Sequence, residues 1–115
     1  MPDWRPLFCA VMLTAFGNYA QASDGAYPSD DASLATGRVL AETHCAACHA
    51  VGTDDISAQD NAPAFRDLSA RYPLESLEES LAEGIVTAHE NMPELSFEPD
   101  DIDAFLGYLT SIQKK

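Results

Sequence analysis

The apolar residues of the chain recur mainly at helical spacing. This spacing runs from residue 32 to residue 44 and predicts a first helix, with Ser33 as its candidate cap. A short turn is expected around residues 65–68, and a second helix is predicted after Pro73. The apolar face of that second helix is formed by Leu74, Leu77 and Leu81, and Gly84 is expected to end the helix.

The clearest pattern belongs to the last helix, which is predicted to begin near Pro99 and to end before Lys114 and Lys115. Aspartates in its first turns and lysines at its end match the helix dipole. Residues 50–66 and 87–97 are polar, contain proline, and are expected to be loops. No stretch shows the alternation of a strand, so the pattern predicts an all-α fold. The apolar face of the last helix is Ile102, Phe105, Leu106, Leu109 and Ile112.

The first 22 residues are predicted to be a secretory signal peptide. They contain an apolar run at residues 7–16 and a small-residue cleavage site at residues 20–22. The run is shorter than the about twenty residues of a membrane-spanning helix, and an uncleaved anchor is the alternative. Residues 23–31 lack apolar periodicity and are expected to form a flexible leader, which places the folded domain at residues 32–115.

The chain is strongly acidic, with a formal net charge of −13. Cleavage after residue 22 removes one acidic and one basic residue, Asp3 and Arg5, and leaves that charge unchanged. Nucleic acid and anionic lipid are bound through Lys and Arg, so neither is an expected partner. The charge favours a partner with a basic surface, or it serves only to keep the domain soluble.

The stretch CAACH, residues 45–49, carries the main candidate chemistry. Cys45, Cys48 and His49 stand at i, i+3 and i+4, so on a helix their side chains project from one face. In this arrangement two thiols can add across the vinyl groups of a haem while the imidazole binds its iron from one side. Because C-x-x-C-H is the attachment signature of c-type haem, we expect one haem c bound covalently through both cysteines.

Three other interpretations of the cysteine pair remain open. A disulfide between Cys45 and Cys48 would close a very short loop and leave His49 without a role. A thioredoxin-like redox pair is expected beside a βαβ pattern, which this sequence lacks. A zinc site needs four ligands, and beyond the cysteines the chain offers only His44, His49 and His89.

A second iron ligand decides between electron transfer and small-molecule chemistry. Met92 is the first candidate, because it is the only methionine left after residues 1–22 are removed and it lies in a polar stretch where no core filler is needed. Pro93 stiffens the backbone directly after it. His89, three residues earlier, is the alternative.

These residues resemble a class I monohaem cytochrome c of the bacterial periplasmic type, over residues 34–112. The resemblance rests on a few short motifs. They are G-x-x-L-A-E-x-x-C-x-x-C-H at residues 37–49, A-P-A-F at residues 62–65, Met92 with Pro93, and the aromatic residues Phe105 and Tyr108 of the last helix.

The resemblance implies a small all-α domain in which three to four helices wrap around one covalently attached haem. Its first and last helices would cross at Gly37, where either Phe105 or Tyr108 approaches closely. It also implies that His49 is the proximal iron ligand and Met92 the distal one. The carbonyl of Pro63 would accept a hydrogen bond from the other nitrogen of His49, which fixes the ring and tunes the iron.

The function that the resemblance implies is one-electron transfer in the periplasm, with no enzymatic bond chemistry. The alternatives are a haem enzyme or gas sensor with a displaceable sixth ligand, and a dedicated subunit of a periplasmic dehydrogenase or oxidase complex. We expect redox partner proteins with a basic docking surface, no nucleic acid, and no membrane association after signal cleavage. The protein itself would be a monomer or a subunit of a redox complex.

Overall fold

The computed structural model describes residues 27–84 and 92–114. This part of the chain is helical and contains no β-strand, so the all-α prediction is confirmed. The predicted signal peptide lies outside the described residues. In chain order the elements are α1 (Asp31–His44), a 3₁₀ helix (Phe65–Ala70), a second 3₁₀ helix (Leu74–Ser76), α2 (Leu77–Glu83) and α3 (Pro99–Ile112).

The first helix begins one residue earlier than predicted, and its cap is Asp30 instead of Ser33. The Asp30 carboxylate accepts a hydrogen bond from the backbone N–H of Ser33 at 3.0 Å. The N–H of Ser33 is one of the groups in the first turn that have no partner within the helix, and the Asp30 carboxylate accepts its hydrogen bond. Hydrogen bonding from the Ser33 side chain, and next from its backbone N–H, lowers the pKa of Asp30, because both stabilise the charged carboxylate.

Residues 27–30, which belong to the predicted leader, lie against the folded domain. The ring of Tyr27 packs on the core, and its hydroxyl donates a hydrogen bond to the Glu78 carboxylate of α2. The carbonyl of Pro28 lies so close to Gly107 of α3 that a Cβ there would overlap it. The chain thus enters α1 over a surface formed by α2 and α3.

Helices α1 and α3 cross at Gly37. A Cβ at this position would overlap the backbone carbonyl oxygen of Ala104 and lie 2.7 Å from the Cβ of Tyr108. Tyr108, not Phe105, is therefore the aromatic residue that approaches Gly37. The hydroxyl of Tyr108 donates a 2.6 Å hydrogen bond to the carbonyl of Val51, which ties α3 to the segment after the CAACH motif.

The second predicted helix divides into two parts. Pro73 has an extended backbone, with ψ of 135°, so it precedes the 3₁₀ helix and does not lie in a helical turn. The α-helical part begins at Leu77. Gly84, with φ of 103°, follows Glu83 and ends α2 as predicted. The turn expected around residues 65–68 is present as the longer 3₁₀ helix.

Candidate functional site

The CAACH motif follows α1 directly. The regular helix ends at His44, and residues 45–49 form one further helical turn. In this turn the backbone N–H groups of Cys48 and His49 donate to the carbonyl of Cys45 at 3.2 and 2.9 Å. The i, i+3, i+4 relation that the sequence suggested is therefore kept outside the regular helix, and Cys45, Cys48 and His49 line one cleft.

Both cysteines of the motif are free thiols and half-buried. Burial raises the pKa of the Cys45 thiol to about 11, because the thiolate is poorly solvated there. Cys45 is therefore uncharged at neutral pH. An environment that disfavours charge suits an uncharged thioether at this position.

The imidazole of His49 is oriented by two neighbours. Its Nδ1 lies 2.8 Å from the carbonyl oxygen of Pro63, and its ring centroid lies 4.9 Å from that of Phe65 at an interplanar angle of 37°. A carbonyl can only accept, so Nδ1 carries the proton and Nε2 keeps its lone pair. This is the tautomer in which a histidine binds a metal through Nε2.

The five residues predicted for the site, Cys45, Cys48, His49, Pro63 and Met92, all line the same cleft. The alternative ligand His89 lies outside the described residues. The cleft continues inwards past Met92 into a mainly apolar interior. Its inner lining consists of Phe65, Leu68, Tyr72, Leu77, Leu81, Leu95, Phe97, Phe105 and Leu109.

Several of these lining residues were not singled out from the sequence. Phe97 lies in a predicted loop, and a 2.8 Å hydrogen bond from its backbone N–H to the carbonyl of Leu81 connects this loop to α2. Its ring packs edge-on against Phe105, with centroids 5.6 Å apart, and also against the exposed His44, with centroids 5.4 Å apart. In the sequence, Phe97 could have been identified as a lining residue because it is an aromatic residue in an otherwise polar stretch. Tyr72, 38% exposed, lies at the edge of the cleft.

The other interpretations of the cysteine pair have no counterpart among the described residues. Cys45 and Cys48 form no disulfide. Residues 27–84 and 92–114 include neither the strands of a βαβ unit nor a group of three His, Cys, Asp or Glu side chains placed to hold a metal ion. In the same residues, no helix is both long and apolar enough to cross a membrane.

A helical turn with C-x-x-C-H, facing an apolar cleft in an all-α domain, defines a c-type haem protein. The family model described as Cytochrome c matches residues 34–113. The chain therefore belongs to the cytochrome c family. No curated protein and no solved structure matches it.

The cofactor of this family is haem c, attached covalently through Cys45 and Cys48. The residues present fit this group. Two thiols stand on one turn, the imidazole of His49 has a free Nε2, and Met92 adds a thioether to the same cleft. The apolar inner lining suits the body of a porphyrin.

Proposed function

We propose that the protein is a periplasmic one-electron carrier in which His49 and Met92 are the two axial ligands of the haem iron. The observation that supports this most directly is the arrangement of His49. Its Nδ1 proton is engaged by the Pro63 carbonyl at 2.8 Å, so Nε2 is available to a metal in a cleft that also contains the Met92 thioether.

Haem supplies a couple between ferrous and ferric iron, which takes up and releases one electron. The chain sets the conditions for that exchange. The Pro63 carbonyl holds the His49 ring in one orientation and raises its basicity. The apolar lining around Phe65, Phe97 and Phe105 excludes water and disfavours the additional positive charge of the oxidised state. Thioether ligation by Met92 acts in the same direction.

Ligation by both His49 and Met92 would leave no coordination position for a substrate. The proposed protein is therefore a carrier and not an enzyme. A haem enzyme or gas sensor needs a vacant or displaceable sixth position. These alternatives differ in the spin state of the ferric protein.

The test is the absorption spectrum of the purified ferric holoprotein and of two matched variants. We expect a low-spin spectrum with the weak near-infrared sulfur-to-iron band in the wild type. Met92→Ala should abolish that band, and His89→Ala should leave it intact. A low-spin wild-type spectrum that lacks the band, and that becomes high-spin in His89→Ala but not in Met92→Ala, would make His89 the ligand instead of Met92. A high-spin wild-type spectrum with rapid ligand binding would contradict the carrier function and favour a haem enzyme or gas sensor.

The proposed partner is a redox protein with a basic docking surface, to which the chain binds as a free carrier or as a subunit of a complex. The net charge of −13 supports this, as do exposed carboxylates on adjoining surfaces of α2 and α3, among them Glu78, Glu79 and Asp103. Charge-guided docking predicts that the transfer rate falls steeply with added salt. A rate that is independent of salt would leave the charge with a role in solubility only.

Periplasmic location is proposed from the signal sequence at residues 1–22. The N-terminal residue of the exported protein tests it: cleavage after Ala22 predicts a chain that begins at Ser23. An intact chain retained in the membrane fraction would favour the uncleaved anchor instead.

A further inference from the structure

Residues 63–70, here called the proximal segment, carry two groups that contact the imidazole of His49. The Pro63 carbonyl oxygen lies 2.8 Å from Nδ1, and the Phe65 ring packs against the imidazole. A hydrogen bond to the non-ligating nitrogen fixes the orientation of a metal-bound imidazole and increases its basicity. The position of the proximal segment therefore controls how strongly His49 donates to the iron.

One side of the proximal segment is fixed by the loop after His49. The backbone N–H of Phe65 donates to the Ala50 carbonyl at 2.9 Å, and the guanidinium of Arg66 donates to the Asp55 carbonyl at 2.8 Å. The Asp55 carboxylate also accepts from the N–H groups of Val51 and Gly52, each at 3.0 Å. These bonds connect the segment to residues close in sequence to His49.

The other side of the segment is fixed by the residue that follows α3. Gln113 donates from Nε2 to the carbonyls of Phe65 and Leu109, at 2.7 and 2.8 Å. Its Oε1 accepts from the backbone N–H of Ser69 at 2.9 Å. Both N–H donors of the amide and one oxygen lone pair are thus used. Next to it, the backbone N–H of Lys114 donates to the Arg66 carbonyl at 2.9 Å.

Helix α3 gives Gln113 a rigid base, because Leu106 and Leu109 are fully buried in the core. A side chain anchored to the last turn of α3 through the Leu109 carbonyl therefore holds the Phe65 carbonyl at a fixed place. The Phe65 carbonyl is only two residues from the carbonyl of Pro63. Only Ala64 stands between Pro63 and Phe65, so displacement of one carbonyl group moves the other.

We infer that Gln113 is a positioning residue for the proximal ligand: it holds the proximal segment so that the Pro63 carbonyl stays within hydrogen-bond distance of His49 Nδ1. The inference rests on the proposed function, since it concerns His49 as an iron ligand. Gln113 does not line the cleft and acts only through the segment. Loss of its bonds weakens the hydrogen bond to Nδ1, lowers the donor strength of the imidazole and shifts the reduction potential to more positive values.

Two substitutions at position 113 distinguish the hydrogen bonds that Gln113 donates from the one that it accepts. Gln113→Met keeps the length of the side chain and removes all three hydrogen bonds. Gln113→Glu keeps an acceptor for the Ser69 N–H but loses both donors. The matched control is Ser111→Ala, which removes a 2.6 Å hydrogen bond from the Ser111 hydroxyl to the Tyr108 carbonyl in the same last turn of α3.

The measurements use the ferrous holoprotein. In its proton NMR spectrum we expect the His49 Nδ1–H resonance to move upfield, and to exchange with water several-fold faster, in both Gln113 variants. The reduction potential should rise in Gln113→Met. Because Gln113→Glu adds a negative charge that opposes this rise, only its Nδ1 resonance is compared. Ser111→Ala should match the wild type in both measurements.

An unchanged Nδ1 resonance in folded Gln113→Met and Gln113→Glu would overturn the inference, and so would an equal change in Ser111→Ala. Either result would leave the proposed function standing, because His49 would still be seen as a ligand. A wild-type holoprotein without iron-bound His49 would instead overturn the proposed function, and the inference with it.

Discussion

The crossing of α1 and α3 gives a prediction in which two physical effects have opposite signs. Gly37 lies in the middle of α1, where alanine has a higher helix propensity than glycine by about 1 kcal/mol. Propensity alone therefore predicts that Gly37→Ala stabilises the protein. The added Cβ, however, would overlap the carbonyl oxygen of Ala104 and lie 2.7 Å from its carbonyl carbon.

The cost of the steric overlap at Ala104 exceeds the gain in helix propensity. Overpacking of a core typically costs about 1–3 kcal/mol, and the atoms that the new methyl group meets at Ala104 belong to the backbone, which cannot rotate away. We take the upper end, about 3 kcal/mol, so that the net loss is about 2 kcal/mol after the gain in propensity. This is a change of about thirtyfold in the folding equilibrium constant.

Guanidinium unfolding of the ferric holoprotein, followed by helical circular dichroism, measures this loss. The matched control is Val39→Ala, two residues along α1, where the side chain is 59% exposed and the free energy of unfolding should change by no more than about 0.5 kcal/mol. A Gly37→Ala protein as stable as the wild type, or more stable, would refute the close helix crossing.

Three further predictions follow from the same structure. Tyr108→Phe loses the hydrogen bond to the Val51 carbonyl and should lower the free energy of unfolding by about 1 kcal/mol. Burial raises the pKa of Tyr108, so folding favours the neutral phenol. The stability that this group contributes is constant below about pH 10 and falls as the pH rises further. Denaturation at several alkaline pH values should therefore show a smaller loss of stability in the phenylalanine variant than in the wild type. Asp30→Ala removes the cap of α1 and should lower the melting temperature, whereas Ser33→Ala should lower it much less. A larger decrease in Ser33→Ala than in Asp30→Ala would make Ser33 the cap. Cys48→Ser removes one of the two thioether bonds, so the purified protein should hold less haem and lose part of its cooperative helical signal, since cofactor binding stabilises only the folded chain. Full cooperative unfolding of a haem-free Cys48→Ser protein would contradict this.

Periodicity and charge were sufficient to predict α3, because its apolar face and the proline and aspartates of its first turn are local signals. The second predicted helix instead divides into a 3₁₀ helix and α2, with Pro73 outside both. The cap of α1 was assigned wrongly. Ser33 and Asp30 are both good capping residues, and only the backbone geometry shows which one accepts the hydrogen bond. The prediction that Gly84 ends α2 was correct, because a positive φ at a helix end favours glycine.

The site was predictable to the extent that its chemistry is local in sequence. Residues 45–49 define the attachment motif on their own, whereas the expected Pro63 hydrogen bond to His49 came from the family resemblance and is present at 2.8 Å. Phe105 and Tyr108 lie three residues apart on one helix, so periodicity gives them the same face. Only the packing shows that Tyr108 meets Gly37 while Phe105 lines the cleft. The contacts of Gln113 join residues far apart in sequence and leave no local pattern.

Covalent attachment of haem at the CAACH turn is the claim on which the carrier function depends. The most direct test is the mass of the exported protein under denaturing conditions, after maturation in a host that forms thioether bonds. Covalent attachment predicts one red species whose mass equals the mature chain plus a single haem. A colourless protein with the mass of the polypeptide alone would contradict it.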